Sequence, residues 1–189
     1  GTQTARKSPK VLQAIGYIAG QGEEVVIQTP YVICNSYMYQ KLKQISEKAD
    51  LKIVLNAVEQ GSNPWGCTDY LNQKENILGT GATVYELMNA HAVHTKTVLI
   101  DDNISIVGSY NLDMRSTYLD TELMLVIESK RLNEEIRDTE NVYIEKSKEV
   151  KTDGTETEGS LYKKKVLTPE KKRFYAFLKI IIRPFRHLL

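Results

Sequence analysis

Residues 94–111 read His94-Thr95-Lys96-Thr97-Val98-Leu99-Ile100-Asp101-Asp102-Asn103-Ile104-Ser105-Ile106-Val107-Gly108-Ser109-Tyr110-Asn111. Two short apolar runs, 95–101 and 104–107, flank the turn Asp101-Asp102-Asn103, which predicts a pair of adjacent strands. Alternate residues of a strand share a face, so His94 and Lys96 point the same way, and so do Ser109 and Asn111. Asp101 is an odd number of positions from His94 and faces away from that pair, so it is expected to be a structural anchor. Gly108 allows close backbone approach. An imidazole, an ammonium, a hydroxyl and a carboxamide thus converge at the ends of neighbouring strands. Those groups can hold phosphoryl oxygens while one P–O bond exchanges for another.

Outward from this hairpin the pattern alternates. A helix is expected over 9–21, with Val11, Leu12, Ile15 and Ile18 at helical spacing. A buried strand over 23–29 stops at Pro30. A helix over 36–49 has Ser36 as candidate N-cap, and a strand follows at 51–57. Residues 60–67 form a breaker-rich loop, followed by a helix over 68–78 and a short strand at 83–86. After the hairpin come a strand at 121–127 and a helix at 130–148. Strands alternating with helices predict a layered α/β/α sandwich, and the hairpin makes its central sheet mixed.

The chain has 189 residues, 41% of them hydrophobic and 26% charged, which fits a globular domain with a real core. Cys34 and Cys67 are too few for a disulfide scaffold, and reduced thiols in the cytoplasm are expected. No apolar run approaches the ~18 residues of a membrane span. The net charge of +1 hides a split: residues 161–189 hold nine Lys/Arg against one acid, and the remainder carries an excess of acids. An acidic body is a poor general binder of nucleic acid.

Three units are expected: a catalytic half over 1–148, a polar linker over 149–162 and a basic tail over 163–189. In the tail, Phe174, Phe177, Leu178, Ile181, Ile182 and Phe185 line one face of an amphipathic C-terminal helix, with cations opposite. That face has two possible seats, a membrane surface or the domain's own core. Loops at strand ends often line active sites, so Tyr31, Asn63, Trp65 and Tyr70 are candidate substrate contacts. Arg115 has two readings, a lipid phosphate or a local salt bridge to Asp113 or Asp120. His91 and His94 lack a neighbouring Cys or carboxylate, so no metal site and no cofactor are expected.

The spacing HxKxxxxD (His94, Lys96, Asp101) followed by GSxN (Gly108, Ser109, Asn111) resembles the signature of the phospholipase D superfamily, the HKD motif. Thr29-Pro30-Tyr31, Asn111-Leu112-Asp113-Met114-Arg115-Ser116 and Leu119-Asp120-Thr121-Glu122 resemble blocks of its bacterial cardiolipin synthase branch. The resemblance covers roughly residues 9–130.

It implies a phosphatidyltransferase or phosphodiesterase that works through a phosphohistidine intermediate, independent of metal. By that resemblance His94 is a catalytic histidine. Lys96 and Asn111 bind phosphate oxygens with support from Ser109. Glu122 hydrogen-bonds a catalytic imidazole, and Asp101 and Gly108 are structural. Members with two motifs carry two histidines, and this chain has one HKD motif. The expectation is a C-terminal half, cut from something longer, that needs either a missing N-terminal half or a second copy of itself. Its partners would be phospholipid and the inner face of the cell membrane, with peripheral attachment and no nucleic acid. The alternatives are a single-motif dimeric phosphodiesterase or nuclease, and a non-catalytic interaction half.

Overall fold

The computed structural model describes residues 8–60 and 63–189. Residues 1–7 of the expected catalytic half, and residues 61 and 62 of the expected 60–67 loop, lie outside the described residues.

Eight strands form one mixed sheet: β1 (Glu24–Gln28), β2 (Asp50–Asn56), β3 (Thr83–Leu87), β4 (Thr97–Ile100), β5 (Ile104–Gly108), β6 (Met124–Glu128), β7 (Ser147–Val150) and β8 (Glu156–Glu158). Their order is β6-β5-β4-β1-β2-β3-β7-β8. Strands β1, β2 and β3 are parallel, and the other pairings are antiparallel. The apolar runs of β1 and β2 reflect burial on both faces, the usual state of parallel strands.

Helices α1 (Lys10–Ala19), α2 (Ser36–Ser46), α3 (Pro64–Leu78), α4 (Met114–Tyr118) and α6 (Pro169–Ile181) lie over one face. Leu12, Ile15, Met38, Leu42, Ile45 and Ile77 pack there against Val25, Ile27, Ile53 and Val98. Helix α5 (Lys130–Glu145) covers the opposite face, where Ile136 and Tyr143 meet Val26, Val54, Leu87 and Leu99. The expected α/β/α layering is therefore the architecture found.

Four local expectations are corrected. Helix α2 is capped by Asn35, whose side chain accepts from the Met38 N–H, so Ser36 is the first helical residue and not the cap. Helix α3 begins at Pro64, inside the expected loop. Asn63 caps it by accepting from the Trp65 and Gly66 N–H groups, and Pro64 fits the first turn because no partner is needed there for its missing N–H. Helix α4 was not anticipated.

The fourth correction concerns residues 149–162. Instead of a free linker, β7 and β8 form a hairpin that extends the sheet beyond β3. Lys148 pins it, with Nζ 2.9 Å from the buried Glu86 and 3.1 Å from Glu156. Lys74 and the Tyr70 hydroxyl complete the cluster around Glu86 and, against the cost of burial, hold its carboxyl below the usual range.

The tail docks on the domain. Tyr175, Leu178 and Ile182 are buried, and Asn72 of α3 donates to the Lys179 carbonyl. Beyond α6, Arg186 pairs with the fully buried Asp69 and donates to the Cys34 carbonyl at 2.8 Å. The expected apolar stripe is thereby divided. Leu178 and Ile182 belong to the core, Ile181 is half-buried, and Phe174, Phe177 and Phe185 remain exposed. No described helix is long and apolar enough to cross a membrane.

Candidate active site

The strand order explains why the chemistry-bearing residues meet. Strands β1, β2 and β3 end at one edge of the sheet. Strand β4 runs antiparallel to β1, so its entry, with His94 and Lys96 just before it, lies at that same edge. Strand β5 returns there to deliver Gly108, Ser109 and Asn111, and β6 starts there just after Glu122. The chain order also reverses at β1, with β2 on one side and β4 on the other. Such switch points open a crevice at the carboxyl ends of parallel strands.

His94 and Lys96 precede β4 in extended chain, outside the strand in which they were expected, and they do come together. The Lys96 Nζ lies 2.6 Å from His94 Nδ1 and also donates to the His94 carbonyl at 2.6 Å. An ammonium has no lone pair, so Nδ1 accepts and the imidazole proton sits on Nε2. Partial desolvation, with the Lys96 charge adding to it, pushes the His94 pKa down. Burial also lowers Lys96, while the negative charges of Glu122 and Asp113 oppose that shift. Lys96 is only 8% exposed, yet among the described residues no carboxylate stands within ion-pair distance of it.

Ser109 hydrogen-bonds Glu122 through its hydroxyl, and the Leu123 N–H donates back to Ser109 Oγ at 3.0 Å. The imidazole partner expected for Glu122 is not His94: the bond found runs to Ser109. Gly108 is required by the approach of β6, because a Cβ there would sit 2.1 Å from the Leu123 carbonyl oxygen. Asn111 approaches Ser116 through Nδ2 at 3.5 Å, and its buried Oδ1 has no hydrogen-bond partner among the described residues. Asp101 turns away as expected. Its carboxylate accepts from the Glu23 and Glu24 N–H groups at 2.8 and 3.0 Å and fastens the β4–β5 turn to β1.

Other residues at this edge act on the backbone. Thr29 Oγ1 accepts from the Leu112 N–H at 3.2 Å and donates to the Tyr31 carbonyl, so the Thr-Pro-Tyr exit of β1 holds the Asn111 block. Asp113 caps α4 by accepting from the Ser116 N–H, and burial beside Glu122 and Asp120 pushes its pKa up to about 6. Half-buried Tyr31 packs against Gly66, next to the exposed Trp65 in the first turn of α3. Arg115 takes the local salt bridge, 3.0 Å from Asp120. Tyr70 is buried on Glu86 and is no surface contact.

Sequence reasoning missed Asn56 and Glu140. Asn56 ends β2 and binds the backbone of Val93, one residue before His94. The only cue was an amide at a strand's end, which is weak by itself. Glu140 of α5 is buried and accepts from Thr97 at 3.3 Å. Burial pushes its pKa up to about 7. It walls an open cleft of about 560 Å³ that also touches His94, Lys96, Gln28 and Tyr143.

Comparison with known proteins gives the family and the fold. The family model described as cardiolipin synthase, phospholipase D-like domain, matches residues 15–141. Cardiolipin synthase A of Shigella dysenteriae serotype 1 is 27% identical over 128 residues, covering 67% of this chain and 26% of that protein. The chain thus spans about a quarter of the length of such curated relatives. Among solved structures, the phospholipase D family member Nuc of Salmonella typhimurium superposes with a TM-score of 0.60 at 15% identity, covering 74% of this chain and 90% of that one. Phosphatidylserine synthase of Haemophilus influenzae Rd KW20 gives 0.62 at 19% identity, covering 95% and 45%. At such identities these two likenesses speak for the fold alone.

Proposed function

The chain belongs to the family of cardiolipin synthase, phospholipase D-like domains, and on that premise we propose that it is one catalytic half of a phosphatidyltransferase, the C-terminal one. The observation that carries this reading is little-exposed Lys96, whose ammonium is held against His94 with no carboxylate among the described residues within ion-pair distance. A buried cation without a counter-charge is costly. A phosphodiester would supply that charge, with the Asn111 Nδ2 group and the Ser109 hydroxyl as hydrogen-bond donors at the same sheet edge.

In this reading a histidine of the partner half attacks phosphorus and the P–O bond to the leaving alcohol breaks. His94, protonated once Lys96 has turned its ammonium from Nδ1 to the phosphodiester, donates its Nε2 proton to that leaving oxygen. The negative phosphodiester offsets the depressing charge of Lys96 and restores the proton affinity that His94 needs. An acceptor alcohol then gives its proton to His94, and its oxygen attacks phosphorus as the P–N bond breaks. Water in place of the alcohol gives hydrolysis. The covalent stage divides one difficult substitution into two easier ones.

The second half is either a preceding segment of a longer chain or a second copy. Strand β6 supports such a seat. It is one of the two edge strands of the sheet among the described residues, it adjoins Glu122, and Leu123, Leu125 and Val126 are 70%, 56% and 55% exposed. Exposed Phe174, Phe177 and Phe185 suit peripheral contact with the cytoplasmic face of a membrane.

The test is transfer of the phosphatidyl group of phosphatidylglycerol in vesicles by the full-length protein. His94→Ala should lower turnover by about 10²- to 10⁴-fold, the usual contribution of a positioned acid–base, and a chelator should leave it unchanged. Wild-type rates in that variant would refute the assignment. Cleavage of plain DNA by a dimer of this chain would favour the nuclease alternative, and a full-length protein inactive on both substrates would favour the interaction half.

A further inference from the structure

Four lysines, Lys146, Lys163, Lys164 and Lys165, surround a cleft of about 440 Å³ that buried Met88 and exposed Leu161 also line. No carboxylate among the described residues pairs with any of the four, and the contact made by Lys146 is to the neutral Asn89 side chain, at 3.3 Å. Three of the four belong to the basic segment 161–189, which holds nine Lys/Arg against one acid, and Lys146 at the end of α5 joins them.

The walls of the cleft are fixed. The Met88 N–H donates to the Lys146 carbonyl at 3.1 Å, and the Leu161 N–H to the Glu145 carbonyl at 2.9 Å. The chain crosses the end of α5 so closely that a Cβ on Gly159 would lie 2.3 Å from the Glu145 oxygen. Gln60 fixes the other rim by donating to the Asn89 carbonyl at 2.7 Å. The three-lysine run lies between two anchored points, Leu161 on the Glu145 carbonyl and Leu167 packed against the main core.

The cleft also shares the sheet edge of His94. Residues 88–90 leave the carboxyl end of β3, and three strand spacings, about 14 Å, separate β3 from β4. A flat anionic surface laid on that edge would meet both.

We propose that this lysine cleft binds the headgroup phosphate of an anionic phospholipid in a bilayer, at a site separate from the reacting phosphate. The inference rests on the phospholipid reading above and adds a second, non-reacting phosphate contact. Ammonium groups facing one concavity without acids raise the local concentration of anions. Leu161, 49% exposed beside the lysines, suits the apolar layer next to a bilayer headgroup better than it suits a free ion.

The test is sedimentation of the whole chain with phosphatidylcholine vesicles, with and without phosphatidylglycerol. The variants are K163Q/K164Q/K165Q and the corresponding triple arginine substitution. Each lysine near an anionic leaflet contributes about 1 kcal/mol, so the glutamine variant should bind phosphatidylglycerol vesicles roughly 100-fold more weakly. The arginine variant should bind normally, and thermal unfolding should be unchanged in both. Undiminished binding by the glutamine variant overturns the proposal. Displacement of the vesicles by millimolar inorganic phosphate at constant ionic strength overturns the lipid assignment. Loss of oligonucleotide binding with vesicle binding intact overturns it in favour of nucleic acid. Loss of vesicle binding in the glutamine variant, with H94A fully active, would remove the catalytic reading and leave the cleft standing.

Discussion

Asn56 holds Val93 by both of its backbone groups: Asn56 Oδ1 accepts from the Val93 N–H at 2.9 Å, and Asn56 Nδ2 donates to the Val93 carbonyl at 2.8 Å. The same amide nitrogen reaches the Pro30 carbonyl at 3.1 Å. One buried side chain at the end of β2 thus ties the exit of β1 to the chain entering β4. His94 is the next residue, so its position depends on a bond network that contains no catalytic group.

Asn56→Leu removes all three bonds and leaves the Val93 groups unsatisfied at about 1–3 kcal/mol of stability. Turnover by the complete enzyme should fall by about 10²-fold, the scale expected for roughly an ångström of misplacement. The apparent affinity for vesicles should not change. Asn56→Asp keeps the acceptor for the Val93 N–H and loses the two donations, so it should fall between wild type and Asn56→Leu. Equal rates in all three proteins would remove Asn56 from any positioning role.

Much of this arrangement was legible in advance because it follows from local periodicity. The buried strands near 23–29 and 51–57 and the 95–107 hairpin follow from short apolar runs bounded by turn residues, whereas His94 and Lys96 meet in the chain just before β4 and not on the strand whose alternation was expected to pair them. What escaped depends on partners remote in sequence. The 147–158 hairpin is polar and alternates weakly, and its strand character comes from Lys148 reaching Glu86 across the sheet. Pro64 and Gly66 read as breakers until Asn63 is seen to cap the helix. The tail's amphipathic pattern fitted a bilayer and a protein surface equally well, and what separates the two is Asp69, more than a hundred residues away, buried beneath Arg186.

Glu140 gives a pH dependence with a defined sign. Burial raises its pKa from the ordinary 4.5 to about 7, against smaller opposing effects of the Thr97 hydroxyl and the Arg137 charge. Between those values the folded chain keeps a proton that the unfolded chain has released. This contribution is complete below about pH 4.5 and is lost as pH rises to about 7. The loss amounts to roughly 2–4 kcal/mol by the usual conversion of 1.36 kcal/mol per unit. Glu140→Gln mimics the protonated form and should flatten the wild-type decline, so that the variant is the more stable protein at pH 8. Asp113 shifts in the same direction, which makes the difference between variant and wild type the quantity to measure by denaturant unfolding. A constant difference from pH 4 to pH 8 would show that Glu140 is ionised in the fold.

The Arg186–Asp69 pair makes the tail part of the domain. Asp69 is 0% exposed, and Arg186 also satisfies the Cys34 carbonyl, while the Leu189 carbonyl accepts from the Arg115 N–H at the start of α4. Arg186→Ala leaves a carboxylate buried without its cation, a loss of about 3–5 kcal/mol. For a chain of this size the midpoint of thermal unfolding should drop by roughly 10 °C. Asp69→Ala together with Arg186→Ala removes both charges and should recover part of that loss, since coupled partners are not additive. Deletion of 165–189 would also strip Tyr175, Leu178 and Ile182 from the core, so any loss of vesicle binding it caused would report unfolding as well. Phe174→Ser with Phe177→Ser leaves the docked face alone and isolates the exposed aromatics. An unchanged midpoint in Arg186→Ala would return the tail to the status of a tether, and membrane contact would then require the stripe that Leu178 and Ile182 now bury.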